Sequence, residues 1–208
     1  MSADFDPGTG LGPRLRVARE QRQLSVRELA RRIGCSASLV SQIERGVSVP
    51  SVGVLYSLAT ELDSSLDHLL FGAEPRRPAV EAAASDPASV SGPGIVQRAG
   101  GRNIIDLASG VRWERFTPGA DVMTDFLEVV YSPGGHSTDE RRPLRHDGHE
   151  YGLVISGTLQ ANVGFESYEL GPGDSIAFDS ATPHEYLNKT GEPVHAIWVV
   201  VHSEPGRA

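Results

Sequence analysis

Two histidines and one glutamate in the second half of the chain have side chains of the types that can bind a metal ion. His146 and Glu150 are separated by three residues in RHDGHEYGLVISG, and His184 follows a proline in GDSIAFDSATPHEYLN. Two imidazoles and a carboxylate are the ligand set of the facial triad of non-haem iron sites. The chain has no phosphate loop, no nucleophile elbow and no Cys/His zinc spacing, so these three residues are its strongest candidates for chemistry.

The elements around these residues have the alternating pattern of β-strands, which begins at Ile95. The predicted strands are VRWERFT at 111–117, DFLEVVYS at 125–132, YGLVISG at 151–157, DSIAFDS at 174–180 and VHAIWVVV at 194–201. Turn sequences with glycine and proline separate them, as at 132–135 and 171–174. Many short strands in about 110 residues predict an all-β sandwich or jelly-roll barrel.

The first part of the chain has the helical period, with apolar residues three or four positions apart from Leu11 to Leu70. Ser25 followed by Glu28 has the pattern of a capping box. Gly34 is placed to end one helix and Ser36 to cap the next. The pattern predicts five helices, near 11–22, 26–33, 37–45, 51–62 and 65–70.

The two patterns predict a multidomain chain of the α plus β class. Residues 73–93 are rich in alanine, proline and serine, which predicts a linker. The predicted organisation is a disordered tail over 1–10, a helical domain over 11–72, the linker over 73–93, an all-β domain over 94–203 and a tail over 204–208.

Composition excludes several classes of protein. Hydrophobic residues make up 39% of the 208 residues, which is too many for a broadly disordered chain. No apolar run approaches the roughly 18 residues of a membrane span. The N-terminus lacks the basic and apolar regions of a signal peptide, and Cys35 is the only cysteine, so no intrachain disulfide forms. These features predict a cytoplasmic protein with no membrane partner.

The charge is unevenly distributed, although its total of -8 opposes nucleic-acid binding. Residues 1–72 hold eight arginines and eight acids, whereas residues 73–208 hold 19 acids and 11 bases. All of the excess negative charge therefore belongs to the second part. This distribution is compatible with DNA binding through the helical domain alone.

The two segments that carry the histidines resemble, in order and spacing, the two motifs of the cupin family. The resemblance implies a jelly-roll barrel in which His146, Glu150 and His184 converge. Metal-binding cupins have a further histidine where this chain has Leu144, so the usual three-histidine site is not intact. Three interpretations stay open: an effector pocket without metal, a structural or sensing site for a divalent metal such as iron, zinc, nickel or manganese, or a catalytic iron centre. The candidate pocket residues are Tyr151, Gln160, Tyr186 and Trp198.

Ala30, Gly34 and Val40 meet the demands of a helix-turn-helix, which needs a small contact residue, a glycine turn and an inward apolar residue. The segment LSVRELARRIGCSASLVSQIERGVSVPSVGVLYSLATEL resembles the phage-repressor-like, or XRE-type, family of bacterial regulators. The resemblance implies that the helix over 37–45 enters the major groove of DNA.

The same resemblance assigns DNA contacts residue by residue. Ala37, Ser38 and Gln42 are assigned to base edges, where glutamine pairs with adenine. The residues assigned to phosphate contacts, which position the protein without reading sequence, are Ser25, Arg27, Ser36, Ser41 and Arg45. In this family the acid that matches Glu44 pairs with an arginine of the first helix, which is Arg19 here.

Together the two resemblances imply a sequence-specific transcriptional regulator whose cupin domain binds a small-molecule effector. The expected partners are a double-stranded DNA operator, that effector and a second copy of the chain in a homodimer. A family of mononuclear iron epoxidases also fuses these two domains and uses a His-x3-Glu…His triad, so an iron-dependent epoxidase or oxygenase is the alternative. Gln42, Arg45 and the linker favour the regulator, and no catalytic residue is assigned.

Overall fold

The computed structural model of the protein describes residues 7–64, 66–71, 95–119, 123–138 and 143–202. The helices in these ranges are α1 (Pro7–Gln21), α2 (Val26–Ile33), α3 (Ala37–Glu44), α4 (Val52–Leu62) and α5 (Leu66–Phe71). A short 3-10 turn at Ala99–Gly101 leads into the strands. The predicted linker over 73–93 and the predicted tail over 204–208 lie outside the described residues. None of the described helices has the length and apolarity needed to cross a membrane.

Serine side chains fix where the central helices of the first domain begin. Ser25, Ser36 and Ser51 each accept a hydrogen bond from the backbone N–H three residues later, at 3.1, 3.1 and 3.3 Å. Each hydroxyl thereby satisfies one of the free N–H groups of a helix N-terminus. The predicted capping box is only half formed. The Glu28 carboxylate accepts hydrogen bonds from Arg31 and Arg32 and not from the backbone N–H of Ser25.

Helix α1 begins at Pro7, four residues before the predicted start, and crosses the end of α3 closely. A Cβ atom added at Gly12 would lie 2.6 Å from the carbonyl oxygen of Ile43, so this crossing requires a glycine. Arg14 has a structural role that the sequence does not predict, because its Nε donates to the carbonyl oxygen of Leu69 at 2.8 Å. This bond satisfies one of the free carbonyl groups at the C-terminal end of α5.

The second domain consists of nine described strands in two antiparallel sheets. These strands are β1 (Ile104–Leu107), β2 (Val111–Arg115), β3 (Thr124–Tyr131), β4 (His149–Ser156), β5 (Leu159–Val163), β6 (Glu166–Leu170), β7 (Ser175–Asp179), β8 (His184–Leu187) and β9 (Val194–Val201). One sheet has the order β1-β2-β3-β9-β4-β7 and the other the order β6-β5-β8. The architecture confirms the predicted helical domain followed by an all-β barrel, and each predicted strand overlaps an observed one.

The helical domain and the barrel share one buried apolar cluster. Helix α4 lies against the barrel, where Val52 and Tyr56 are buried. The backbone N–H of Ala108, directly after β1, donates to the carbonyl oxygen of Pro50 at 3.3 Å. The start of α4 is therefore in direct contact with the second domain.

Candidate metal centre and nucleic-acid interface

Three buried side chains meet inside the barrel. His146 precedes β4, Glu150 points inward from β4 and His184 begins β8 in the opposite sheet. Nε2 of His146 lies 2.7 Å and Nε2 of His184 lies 3.0 Å from Oε1 of Glu150. The structure thus brings together the three residues that the sequence proposed as metal ligands, and these form the one cluster of metal-ligating side chains among the described residues.

Backbone carbonyl groups orient both imidazoles. Nδ1 of His184 lies 2.9 Å from the oxygen of Thr182, and Nδ1 of His146 lies 3.3 Å from the oxygen of Asp147. A carbonyl oxygen only accepts, so each Nδ1 donates to it and each Nε2 is the ring atom that faces the site. Neither buried Nε2 makes a directed hydrogen bond within the described part of the chain.

This donor set fits a cation. Two imidazole lone pairs and a carboxylate oxygen at these distances repel one another unless a proton or a metal ion lies among them. Ligand atoms about 2.1 Å from a tetrahedral or octahedral ion lie about 3.0–3.4 Å apart, close to the observed separations. Burial alone would raise the pKa of Glu150, but hydrogen bonds and positive charge from the two imidazoles in their protonated form outweigh burial and lower the pKa to about 2.

The other side of the carboxylate is held by Tyr186, whose hydroxyl donates to Oε2 of Glu150 at 2.8 Å. This bond leaves Oε1 directed at the two histidines, which is how groups beyond the ligands usually fix ligand orientation. Leu144 occupies the position of the missing histidine, where it pairs with His184 through backbone hydrogen bonds of 2.7 and 3.0 Å. The protein therefore offers a metal three ligands and an apolar neighbour in place of a fourth.

A cavity of about 30 Å³ adjoins the triad. Its wall is formed by residues of the large sheet, of β8 and of helix α4: Val52, Tyr56, Trp113, Leu127, Val129, Tyr131, Ser137, Leu144, Glu150, Tyr186, Trp198 and Val200. Two of the four pocket residues proposed from the sequence, Tyr186 and Trp198, are in this wall. Their rings lie 4.4 Å apart, so they form one continuous aromatic surface.

The other two proposed pocket residues were placed on the wrong face of their strands. Tyr151 follows the inward-pointing Glu150, so strand alternation turns it outward, where it is 49% exposed. Gln160 lies between two buried residues of β5 and therefore points away from the cavity. Its amide donates to Ser167 at 2.9 Å instead.

Sequence reasoning missed Tyr56, which comes from the helical domain. Its ring stacks on His146 with 4.2 Å between centroids and 10° between planes, and it meets the edge of Trp113 at 6.0 Å. A signal was present, because the apolar residues of α4 cover an arc wider than the single stripe of a surface helix, which indicates burial against more than one neighbour. One side packs in the helical domain, and the other side faces the barrel.

The proposed DNA-contact residues lie on the open side of α2 and α3. Ser38 and Arg45 are exposed, and Ala37, Ser41 and Gln42 are half-buried. The residues of α3 that face inward are Val40 and Ile43. Ser25 and Ser36 accept capping hydrogen bonds, and each hydroxyl keeps its own O–H to donate.

Ion pairs divide the arginines of this domain into two groups. Five of them contact carboxylates, at distances of 2.5 to 2.8 Å: Arg16, Arg19, Arg22, Arg31 and Arg32. Of the other three, Arg14 donates to backbone carbonyl oxygens of α5, whereas Arg27 and Arg45 are exposed and have no carboxylate partner among the described residues. Arg45 donates only to the Ser41 hydroxyl. These two unneutralised charges are both among the predicted phosphate contacts.

The predicted pair of Arg19 and Glu44 is confirmed. Nε of Arg19 lies 2.5 Å from Oε1, and its terminal nitrogen lies 3.1 Å from Oε2 of the same carboxylate. Arg19 also donates to the carbonyl oxygen of Leu24 at 2.8 Å. Glu44 is therefore a structural link between α1 and the end of α3.

Comparisons with known proteins agree with this architecture. A helix-turn-helix family model matches residues 15–69, and a cupin-domain model matches residues 127–200. The HTH-type transcriptional regulator PuuR of Escherichia coli (strain K12) is 30% identical over 185 residues, which are 88% of this chain and 90% of that protein. The crystal structure of an HTH_3 family transcriptional regulator from Vibrio cholerae superposes with a TM-score of 0.65 at 23% identity, covering 98% of this chain and 100% of that one.

A helix-turn-helix joined to a cupin barrel defines a DNA-binding regulator with a small-molecule-sensing domain. The chain belongs to the family of HTH-type transcriptional regulators that carry a C-terminal cupin domain. The structure of hydroxypropylphosphonic acid epoxidase from S. wedmorenis covers 94% of this chain and 98% of that one at 20% identity and a TM-score of 0.43. Likeness at that level carries no argument about activity.

Proposed function

We propose that the chain binds operator DNA as a cytoplasmic homodimer and that a small-molecule effector in the barrel changes its affinity for that DNA. The observation that carries this proposal is the pair of unneutralised arginines, Arg27 and Arg45, beside the exposed polar face of α3. Phosphate contacts from such residues supply affinity, while Gln42 and Ser38 supply base discrimination. The role is regulatory and involves no catalytic step.

A dimer is supported by an apolar patch on the outer face of the large sheet. Phe126 of β3, Val199 of β9 and Tyr151 of β4 form one row across three neighbouring strands. Leu153 and Ile155 extend the patch along β4, where they are 39% and 50% exposed. Exposed apolar patches mark interaction surfaces. A second copy of the chain suits this patch, because two helical domains are needed to read two operator half-sites.

The barrel is proposed to hold a divalent metal ion, iron, zinc, nickel or manganese, through His146, Glu150 and His184. The support is the convergence of two lone pairs and a buried carboxylate described above. Such an ion would supply a Lewis-acidic position for an oxygen or nitrogen atom of the effector. Tyr186 keeps the carboxylate aligned, and Leu144 keeps one side of the site apolar.

The DNA-binding part is tested by fluorescence anisotropy of the purified protein on DNA from upstream of its own gene. We expect binding about a thousandfold tighter than to a scrambled duplex. Gln42→Ala should remove most of that preference, whereas Gln21→Ala, an exposed glutamine at the end of α1, should not. Equal affinity of the wild-type protein for operator candidates from the genome and for scrambled DNA would contradict the proposal.

The metal part is tested by titrating metal-free protein with Zn²⁺ or Ni²⁺ in a calorimeter. His184→Ala should weaken binding by at least about 100-fold, because losing a ligand costs more than losing a group that only orients one. His149→Ala is the matched control, since His149 is next to Glu150 but exposed outside the barrel. Equal affinity of both variants for the metal would contradict the assignment.

An iron-dependent oxygenase is the second candidate, because the triad brings together two imidazoles and one carboxylate, which is the ligand set of the facial triad of non-haem iron sites. That function predicts continued oxygen consumption by the Fe²⁺-loaded protein when an organic substrate and a reductant such as ascorbate are supplied together, and His184→Ala should abolish it. Operator binding without any oxygen consumption identifies the regulator. Oxygen consumption without preference for any operator identifies the enzyme.

A further inference from the structure

The cavity beside the triad is closed by a helix of the DNA-binding domain. Val52 and Tyr56 are four residues apart, so they lie on one face of α4, and both line the cavity. They are 3% and 7% exposed. At the start of this face, a Cβ atom added at Gly53 would lie 3.4 Å from Leu144 and 3.8 Å from the Cα atom of Thr138.

The ring of Tyr56 lies between the cavity and one member of the triad. It lies parallel to the imidazole of His146 at 4.2 Å and is surrounded by the aromatic wall that includes Trp113. Stacked and edge-to-face contacts of this kind stabilise the docked helix beyond the area they bury.

The cavity that remains under this lid is too small for an organic effector. Its volume is about 30 Å³. A single water molecule needs at least about 10–15 Å³, so the space suits an ion with a water molecule. Sites for small organic molecules occupy about 300–1,000 Å³. An organic effector and the docked α4 therefore cannot occupy the barrel together.

We propose that α4 is the lid of the effector site, and that an effector with a planar ring displaces Tyr56 from His146 and so releases the DNA-binding domain from the barrel. This inference rests on the proposed regulatory function, which supplies the effector. The effector shifts the population from the docked to the released arrangement by its difference in affinity for the two. The released arrangement has a different orientation of the recognition helices and hence a different affinity for the operator.

The chain has two tryptophans, and both line this cavity, so intrinsic fluorescence reports on the lid directly. Tyr56→Ala should increase acrylamide quenching of Trp113 and Trp198 by about twofold or more, because local opening exposes both indoles. Thr60→Ala, at an exposed position of the same helix, should be quenched like the wild-type protein.

The probe 4-methylphenol, which is the tyrosine side chain as a free molecule, should raise the thermal midpoint of Tyr56→Ala and not that of the wild-type protein.

A disulfide clamp provides a second test that keeps Tyr56 in place. Gly53→Cys with Thr138→Cys, made in a Cys35→Ser background, brings two cysteines to about the separation that a disulfide needs. The disulfide should form readily. Acrylamide should quench the tryptophans of the oxidised variant less than those of any other form, and this variant should bind operator DNA like the effector-free protein. Tyr56→Ala should change operator affinity by about fivefold or more, which is the usual size of an allosteric coupling.

The outcomes separate this inference from the function on which it rests. Quenching that is the same in folded Tyr56→Ala and in the wild-type protein, or a clamp that fails to oxidise, overturns the lid whatever the DNA result. Increased quenching with unchanged operator affinity overturns the coupling and leaves the regulator intact. Failure of every form, including the wild-type protein, to prefer any operator overturns the proposed function itself.

Discussion

Arg45 allows a quantitative prediction about salt, because its charge has no carboxylate partner in the described part of the chain. Arg45→Ala removes one phosphate contact from each helical domain, and therefore two from each dimer. Each neutralised phosphate contributes about 0.9 to the slope of log affinity against log salt, so the slope should become shallower by about 1.8. The ratio of wild-type to variant affinity should then be about 12-fold larger at 50 mM than at 200 mM salt.

The assay is anisotropy of a labelled operator at several salt concentrations across about that range. Arg16→Ala is the matched control, because it removes the same charge from an exposed position of α1 where Glu20 already neutralises it at 2.8 Å. We expect its slope to equal that of the wild-type protein. Parallel salt plots for Arg45→Ala and the wild-type protein would refute the assignment of Arg45 to a phosphate contact.

Two further predictions concern packing around the recognition helix and the barrel. Glu44→Gln should destabilise the protein by about 2–3 kcal/mol, measured as a lower urea midpoint at unchanged slope, because it leaves the largely buried Arg19 with only the exposed and more distant carboxylate of Glu20, at 3.6 Å; a loss below about 0.5 kcal/mol would contradict a structural pair. Gly152→Ala should cost about 1–3 kcal/mol and shift the emission of Trp198, because the added Cβ would lie 2.2 Å from the indole. Gly191→Ala, whose added Cβ meets nothing within 4 Å, is the control, and an equal loss in both variants would show that the indole contact is not the cause.

Local signals in the sequence predicted most of the helical domain. Helix α2 has the predicted bounds of 26–33 because a serine caps its start and Gly34, with φ of 72°, ends it. The start of α1 was predicted too late, because Gly8, Gly10 and Pro13 argue against a helix by propensity. Packing against the other helices outweighs that propensity.

In the barrel, the sequence predicted the triad correctly but not all of the residues around the cavity. The triad was found because the motif spacing is specific, and strand alternation then fixes which side each neighbour faces. The phase of that alternation is set by where a strand begins, and a shift of one residue reverses every side chain. Tyr151 and Gln160 were assigned to the wrong side for this reason. Tyr56 was missed because its role depends on how two domains meet.

The placement of α4 in the cavity wall has a consequence for the evolution and engineering of this regulator. Its head and barrel cannot be exchanged as independent modules, because the ligand cavity is completed by Val52 and Tyr56 of the head. A chimaera that joins this barrel to a foreign head inherits a foreign lid, and with it an altered choice of ligands. Designers who want a new operator preference with the original ligand response should therefore change the exposed face of α3 and keep the barrel-facing side of α4.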